Sequence, residues 1–300
     1  DKLKYLHLIN HFGFITELSF IEWFVGFIDG DGGFSIGYSK QDNLYRNNFY
    51  ITQSYYNLIT LQYIQQTLTV GHITYTKTDG TRYQVQNVSE LIEVIIPILD
   101  YYPLFTWRYA RYLIFKESLM VRNASFFQDK TQLMELKHLL NLTMTDPSYD
   151  SYIAPTFDTK KPSKSWTAQV RMYIRTCLPT VVGFVEAEGT FGIKKKRNNF
   201  YDHYFYLPQT KDMHLLQFIK ETLGFTTKIN LNKNTNCHYL LTTNKSNIEF
   251  IISYFDSCLV GPKAVEFIMW KEFYFKYRLT NQSAEHALSR RRLRVGGDSS

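Results

Sequence analysis

What this chain lacks narrows its chemistry first. Its 300 residues hold three cysteines, Cys177, Cys237 and Cys258. That odd number, with no Cys-x-x-Cys spacing, argues against a disulfide framework or a thiolate zinc site and reads as reduced thiols in a non-secreted protein. No apolar run reaches membrane-spanning length, because Leu91–Phe105 is broken by Glu93, Asp100 and Pro103, so no membrane partner is expected. A secretory signal is not visible either: Asp1–Phe12 mixes Lys2, Lys4, His7 and His11 among its apolar residues. His7 and His11 have i,i+4 spacing without an intervening Glu or a third ligand, which reads as a surface helix pair. An initiator Met is missing, so the chain reads as a processed product or a piece of a longer one. Alanine is scarce, whereas Tyr and Phe number 23 each. Tyr, Phe, Ile, Asn and Lys have AT-rich codons, as expected of an AT-rich genome such as an organelle's.

Charge is unevenly placed. Net charge is +7, yet residues 1–150 hold 12 Lys/Arg against 15 Asp/Glu while residues 151–300 hold 22 against 12. A basic balance favours a polyanionic partner, and the location of the bases decides whether it has one. A hydrophobic content of 44% excludes a disordered chain, and the length allows two domains with separate cores.

The chain repeats itself. Trp23–Ile36 (WFVGFIDGDGGFSI) returns as Thr180–Ile193 (TVVGFVEAEGTFGI). Each copy is an apolar helix ending in two acids, followed by a strand. Asp31 and Glu188 are 157 positions apart, Gln53 and Gln209 156, and Arg108 and Lys263 155. Three anchors at nearly one offset mark a tandem duplication. The first unit is expected to form a helix over 20–31, strands over 33–39 and 46–53, and a helix over 58–67. Strands over 72–76 and 81–87 follow, then helices over 89–99 and 106–122. Thr78-Asp79-Gly80-Thr81 predicts a hairpin, since Asp-Gly tolerates positive φ at both central positions. Domain limits are expected at 1–122 and 171–281. The connection 123–170 contains a helix over 130–141 and an exposed Pro- and Lys-rich stretch, Pro155–Lys164, and a basic tail occupies 282–300.

Around Trp23–Asp31 every side is apolar, which requires burial on all faces. Gly26 and Gly30 are spaced i,i+4, as are Gly183 and Ala187, so the two helices can pack backbone to backbone. Asp31 and Glu188 would then meet at two helix C-termini, where partial negative charge disfavours carboxylates and favours cations. A locally unfavourable pattern of this kind points to function, here a divalent-metal site. The first acids, Asp29 and Glu186, are better read as hydrogen-bonding nearby backbone. A dinucleotide fingerprint fails because Ser35 stands where the third Gly belongs. An EF-hand fails because Gly33 occupies a ligand position and the loop lacks its closing Glu.

These motifs resemble those of the LAGLIDADG homing endonucleases in their single-chain, two-motif form, and the resemblance covers nearly the whole chain. It implies an α+β fold of two pseudo-symmetric αββαββα domains, with the motif helices at their interface and antiparallel sheets forming a saddle over DNA. The implied activity is Mg²⁺-dependent double-strand cleavage of a long asymmetric target by a monomer, with Mn²⁺ substituting and Ca²⁺ binding without supporting cleavage. By resemblance the protein is encoded in an intron of a fungal mitochondrion. Asp31 and Glu188 match the metal-binding acids, and the carbonyls of Gly30 and Ala187 the backbone metal contacts. Gln53 and Gln209 match residues that order water, and Arg108 and Lys263 a basic residue beside the cleavage site. Arg108 departs from the more usual Lys and, staying charged, is ill suited to proton transfer. Two other readings on this scaffold are an RNA maturase acting on its own intron and a DNA-binding protein that does not cut.

Strand parity supplies the candidate DNA contacts. In the first unit these are Ser35, Gly37, Ser39, Arg46, Asn48, Tyr50, Thr52, His72, Thr74, Thr76, Arg82, Gln84 and Gln86. In the second they are Thr190, Gly192, Lys194, Lys196, Tyr204, Tyr206, Lys228, Asn230, Asn232, His238 and Thr242. Arg, Lys, Gln, Asn and Thr are the side chains that read base edges in a major groove.

Overall fold

Alternating strands and apolar helices build the same layered unit twice. The structure, a computed structural model, describes residues 17–76, 80–124, 129–145, 179–196 and 201–277. His7, His11, Cys177, the stretch Pro155–Lys164 and the tail from Gln282 lie outside the described residues.

In the first unit α1 (Glu17–Asp31) runs into β1 (Gly32–Ser39), followed by β2 (Leu44–Ser54), α2 (Leu58–Leu68), β3 (His72–Tyr75) and β4 (Gly80–Val85). A helical run, α3, then extends from Val88 to Tyr101, and α4 (Arg108–Ala124) and α5 (Lys130–Thr145) complete this part. The second unit repeats the order as α6 (Pro179–Glu188), β5 (Thr190–Lys195), β6 (Tyr201–Gln209), α7 (Met213–Thr222), β7 (Ile229–Asn232), β8 (Cys237–Thr242) and α8 (Lys245–Phe255). Helix α9 covers 262–277. Both sheets are antiparallel and have one strand order, β1-β2-β4-β3 and β5-β6-β8-β7.

The alternation read in the sequence sets which face is dry. Phe34 pairs with Phe49 and Phe49 with Val85; Phe191 pairs with Phe205. Behind each pair stands an aromatic cluster from the following helices: Phe115 lies 5.2 Å from Phe34, and Phe267 lies 5.0 Å from Phe191. The caps are duplicated as well. Asn87 Oδ1 accepts from the amides of Ser89 and Glu90, and Asn244 Oδ1 from those of Ser246 and Asn247, satisfying donors that a helix start leaves free.

Two features differ from the sequence reading. Gly80, expected in the turn, is the first residue of β4 and pairs with Ser54. The expected hairpin joins β3 to β4, which pair antiparallel, with the Thr76 amide donating to the Gly80 carbonyl; Thr78 and Asp79 of its turn lie outside the described residues. Helix α5, expected within the connection, packs on the first unit, where Leu133, Leu136 and Leu140 bury against Ile36 and Tyr45. Arg111 fastens it. Its guanidinium donates to the carbonyls of Leu140 and Phe34 and to the Thr143 hydroxyl at 2.8–2.9 Å, tying α5 to β1.

The two units meet through α1 and α6. Trp23, Phe24, Phe27 and Ile28 of α1 and Val185 of α6 are at most 1% exposed, as an apolar circumference demands. A Cβ added to Gly26 would overlap the Thr180 carbonyl, and one added to Gly183 would overlap that of Trp23. At Gly30 the added atom would run into Ala187. The helix axes therefore approach to backbone contact at reciprocal positions. Gly183→Ala should destabilise the fold by about 1–3 kcal/mol, read as a lower urea midpoint with an unchanged slope, whereas Gly37→Ala, where the nearest atom is 3.8 Å away, should be nearly neutral.

Candidate functional site

Close packing of α1 and α6 brings their last turns, and hence Asp31 and Glu188, together. Glu188 Cγ lies 3.2 Å from where a Gly30 Cβ would stand. Burial pushes the Asp31 carboxyl up to about 6, and burial together with the Asp31 charge pushes Glu188 up to about 7. Like charges held together at two helix C-termini resist ionisation. The opposing influence at Asp31 comes first from a Gln53 hydrogen bond, and at both acids from Arg108 and Lys263, which favour the charged form. All four residues thus share one electrostatic centre.

Each base is held by the motif helix end beside it. Arg108 Nε donates to the Gly32 carbonyl at 2.8 Å and a terminal nitrogen to the Asp29 carbonyl at 2.6 Å. Lys263 Nζ donates to the Gly189 carbonyl at 2.7 Å. Cations suit the negative pole of a helix, so the fold itself fixes both beside the acids. Asp29 and Glu186 do the complementary task. Asp29 accepts from the amides of Phe105 and Thr106 and the Thr106 hydroxyl, and Glu186 accepts from the amides of Val260 and Gly261. They anchor the approaches to α4 and α9, which carry Arg108 and Lys263, in the backbone role read from sequence. Burial raises each to about 7 in spite of these donors.

The glutamines are not equivalent. Gln53 Nε2 donates to Asp31 Oδ2 at 2.5 Å, and its oxygen accepts from Asn57 at 2.6 Å. Gln209 instead donates to Asp212 Oδ2 at 2.8 Å, and among the described residues no hydrogen bond reaches the Glu188 carboxylate. The sequence reading did not single out Asp212. It is 0% exposed, burial raises its pKa, and its Oδ1 accepts from the Trp107 amide of the first unit at 2.9 Å. His214 adds a second link, to the Phe105 carbonyl at 2.9 Å. An Asp immediately before α7 was the available signal, but its partner lies 105 residues away.

The donor set suits a hard divalent cation. Two carboxylates stand at helix ends whose final carbonyls, those of Gly30 and Ala187 among them, lack intrahelical partners. Among the described residues no three His, Cys, Asp or Glu side chains gather as a closed cage. A cation there would keep positions for water and phosphate oxygens.

The register puts most of the expected contact residues on one face of each sheet. Ser35 pairs with Asn48 and Gly37 with Arg46. Tyr50 pairs with Gln84 and Thr52 with Arg82, and His72 and Thr74 pair with the same Gln84 and Arg82. Ser39 continues that parity at the end of β1, and Thr76 and Gln86 flank β3 and β4. In the second sheet Thr190 pairs with Tyr206 and Gly192 with Tyr204, and Lys194, Lys196, Tyr204 and Tyr206 line one open groove with Leu241. Asn230 and Asn232 pair with Tyr239 and Cys237, and Lys228 immediately precedes β7.

His238 and Thr242 are corrected. Thr242 pairs with Phe205 and is 2% exposed, while His238 pairs with the buried Gln209. Both belong to the core parity, and β8 turns Cys237, Tyr239 and Leu241 outward instead. The slip arose because β8 presents an apolar residue to each face, so hydrophobic alternation does not identify its inner side.

Comparison with known proteins agrees with this geometry. Residues 24–119 and 181–274 match the family model described as LAGLIDADG endonuclease. A protein named "Probable intron-encoded endonuclease Cox1-I1b" from Schizosaccharomyces pombe is 31% identical over 267 residues, covering 85% of this chain and 64% of its own length. The chain thus spans just under two thirds of that relative. A Dictyostelium discoideum protein named "Probable intron-encoded endonuclease aI3" is 25% identical, over 83% of this chain and 95% of its own. Among solved structures, I-SmaMI bound to an uncleaved DNA target in the presence of calcium ions has a TM-score of 0.69 at 21% identity, covering 93% of this chain and 98% of that one. The LAGLIDADG homing endonuclease I-GzeII in complex with its DNA target has a TM-score of 0.66 at 23% identity, covering 88% and 91%. With two matched motifs spanning most of its length, this chain belongs to the LAGLIDADG endonuclease family.

Proposed function

We propose that this protein is a monomeric, site-specific endonuclease that makes a double-strand break in a long, asymmetric DNA target with the help of Mg²⁺. The observation that carries this reading is the convergence of Asp31 and Glu188, one from each unit, with Arg108 and Lys263 beside them. Each unit offers one acid and one base, which suits one hydrolytic centre per DNA strand. Unequal sheet faces suit a target without a palindrome. One relative named as an intron-encoded endonuclease, and a Saccharomyces cerevisiae relative named as a mitochondrial protein, support an origin in a mitochondrial intron.

Asp31 and Glu188, with the Gly30 and Ala187 carbonyls, would hold the Mg²⁺, which when bound neutralises charge at phosphorus and lowers the pKa of water. Mn²⁺ would substitute, and Ca²⁺ would support binding without cleavage. The side chains do the remainder. Arg108 and Lys263 stabilise negative charge as it develops on phosphate oxygens. Gln53, tied to Asp31, orients that carboxylate and orders solvent next to it. Because Arg108 stays protonated, it positions and stabilises without moving a proton.

Holding two crowded acids costs stability in the absence of metal, and the sign is testable. Their folded pKa values lie above the ordinary ones, so stability present below about pH 4 is lost as pH rises through about 6 to 7. In metal-free buffer at pH 8, Asp31→Asn or Glu188→Gln should therefore be more stable than the parent by on the order of 1 kcal/mol, discounted for partial exposure. At pH 4 the gain should vanish in thermal melts. In Mg²⁺, the same variants should cut a target selected from a randomised duplex library at least about a hundredfold more slowly. Gel shifts in Ca²⁺ should show DNA binding largely retained. Undiminished cutting by either variant would refute the assignment. Affinity should also fall steeply with salt, by about a thousandfold or more between 50 and 200 mM if six or more phosphates are contacted.

A further inference from the structure

The two sheet faces share a backbone plan and differ in chemistry. Tyr50 opposite Gln84 and Thr52 opposite Arg82 occupy the middle of the first face. The matching pairs of the second are Tyr206 opposite Leu241 and Pro208 opposite Tyr239. Polar residues of β4 thus give way to apolar or aromatic ones at the matching positions of β8: Gln84 to Leu241 and Arg82 to Tyr239. On the neighbouring strand Asn48 gives way to Tyr204 and Thr52 to Pro208.

Hydrogen-bonding groups in the first set are already arrayed. Arg82 Nε donates to the Thr52 hydroxyl at 2.9 Å, and Asn48 and His72 both reach Gln84. The second set is arranged for contact. Tyr206 and Tyr239 lie ring to ring at 5.5 Å, Tyr204 lies across Gly192, and Leu241 is 37% exposed. The acid on this face, Asp202, is paired with Lys196 at 2.5 Å. Lys194, Lys195 and Lys196 flank the apolar centre in one open groove.

We infer that the second sheet reads its half of the DNA target mainly through apolar contact with thymine 5-methyl groups, centred on Leu241, Tyr206 and Tyr239, while the first sheet reads its half by hydrogen bonds. This rests on the endonuclease reading above. In a major groove thymine alone presents a methyl group, and apolar side chains select it by burying that group. Lysines at the groove's rim answer phosphates, which orient the duplex without selecting sequence. Leu241 offers a base edge no donor or acceptor, so a hydrogen-bonding edge set against it would lose its water uncompensated.

The test uses the full chain and the target selected from a randomised library. Each thymine is replaced singly by deoxyuridine, which keeps pairing and removes only the methyl, and dissociation constants are measured in Ca²⁺. The expected result is a loss of about three- to fivefold per contacted methyl, confined to one half of the target. Leu241→Ala should abolish the sensitivity at one position of that half. Leu241→Gln, which restores the Gln84 chemistry, should move preference there from thymine towards adenine. Equal sensitivity in both halves, none in either, or sensitivity unchanged in both variants would overturn the inference while leaving the endonuclease reading intact. Failure of the parent chain to bind or select any duplex would overturn that reading instead.

Discussion

Backbone contact between α1 and α6 is the constraint on which this protein depends. Reciprocal glycines, Gly26 against Thr180 and Gly183 against Trp23, let two helices approach more closely than larger side chains would allow. Everything at their C-terminal ends follows from that distance. The carboxylates crowd, their pKa values rise, and the partial negative charge of both helices adds to theirs. Neither unit contains such a centre by itself.

Supporting contacts surround this feature in a consistent way. The first acid of each motif, Asp29 or Glu186, grips the backbone that leads into a helix, and that helix returns a base, Arg108 or Lys263, to the carbonyls at the end of the motif helix. One short motif therefore sets three things: the helix contact, the carboxylate at the interface and the seat of the neighbouring basic side chain. Its acids occupy different environments two residues apart, one satisfied by backbone amides and the other left beside its counterpart across the interface.

Much of this was legible in the sequence because duplication supplies its own control. A glycine spacing, an acid pair and a base recurring at one offset identified the interface and its four charged residues. Element order was also readable, since strands such as Phe34–Ile36 and Phe49–Ile51 alternate clearly. Reading failed where local pattern carries no direction. Leucines on both faces of β8 concealed its parity, and Gly80 looked like a turn residue although its ladder partner Ser54 keeps it in a strand. Long-range bonds were invisible. Nothing near Gln209 indicates that its neighbour Asp212 reaches the Trp107 amide, and the three bonds of Arg111 to α5 and β1 have no local signature.

The bond between Asp212 and Trp107 bears on how interchangeable the halves are. At the repeat offset, Asp212 corresponds to Tyr56, which is 75% exposed, and Trp107 corresponds to Pro262, which has no amide hydrogen. A homodimer of first halves would offer the Trp107 amide no carboxylate, and a homodimer of second halves would leave Asp212 with its Gln209 donor but without the Trp107 amide. Divergence between the repeats has in this way left one cross-unit bond that only unlike halves can form. A chimaera with a foreign half would have to bring this acid and this amide together again, alongside any surface chosen for its DNA sequence.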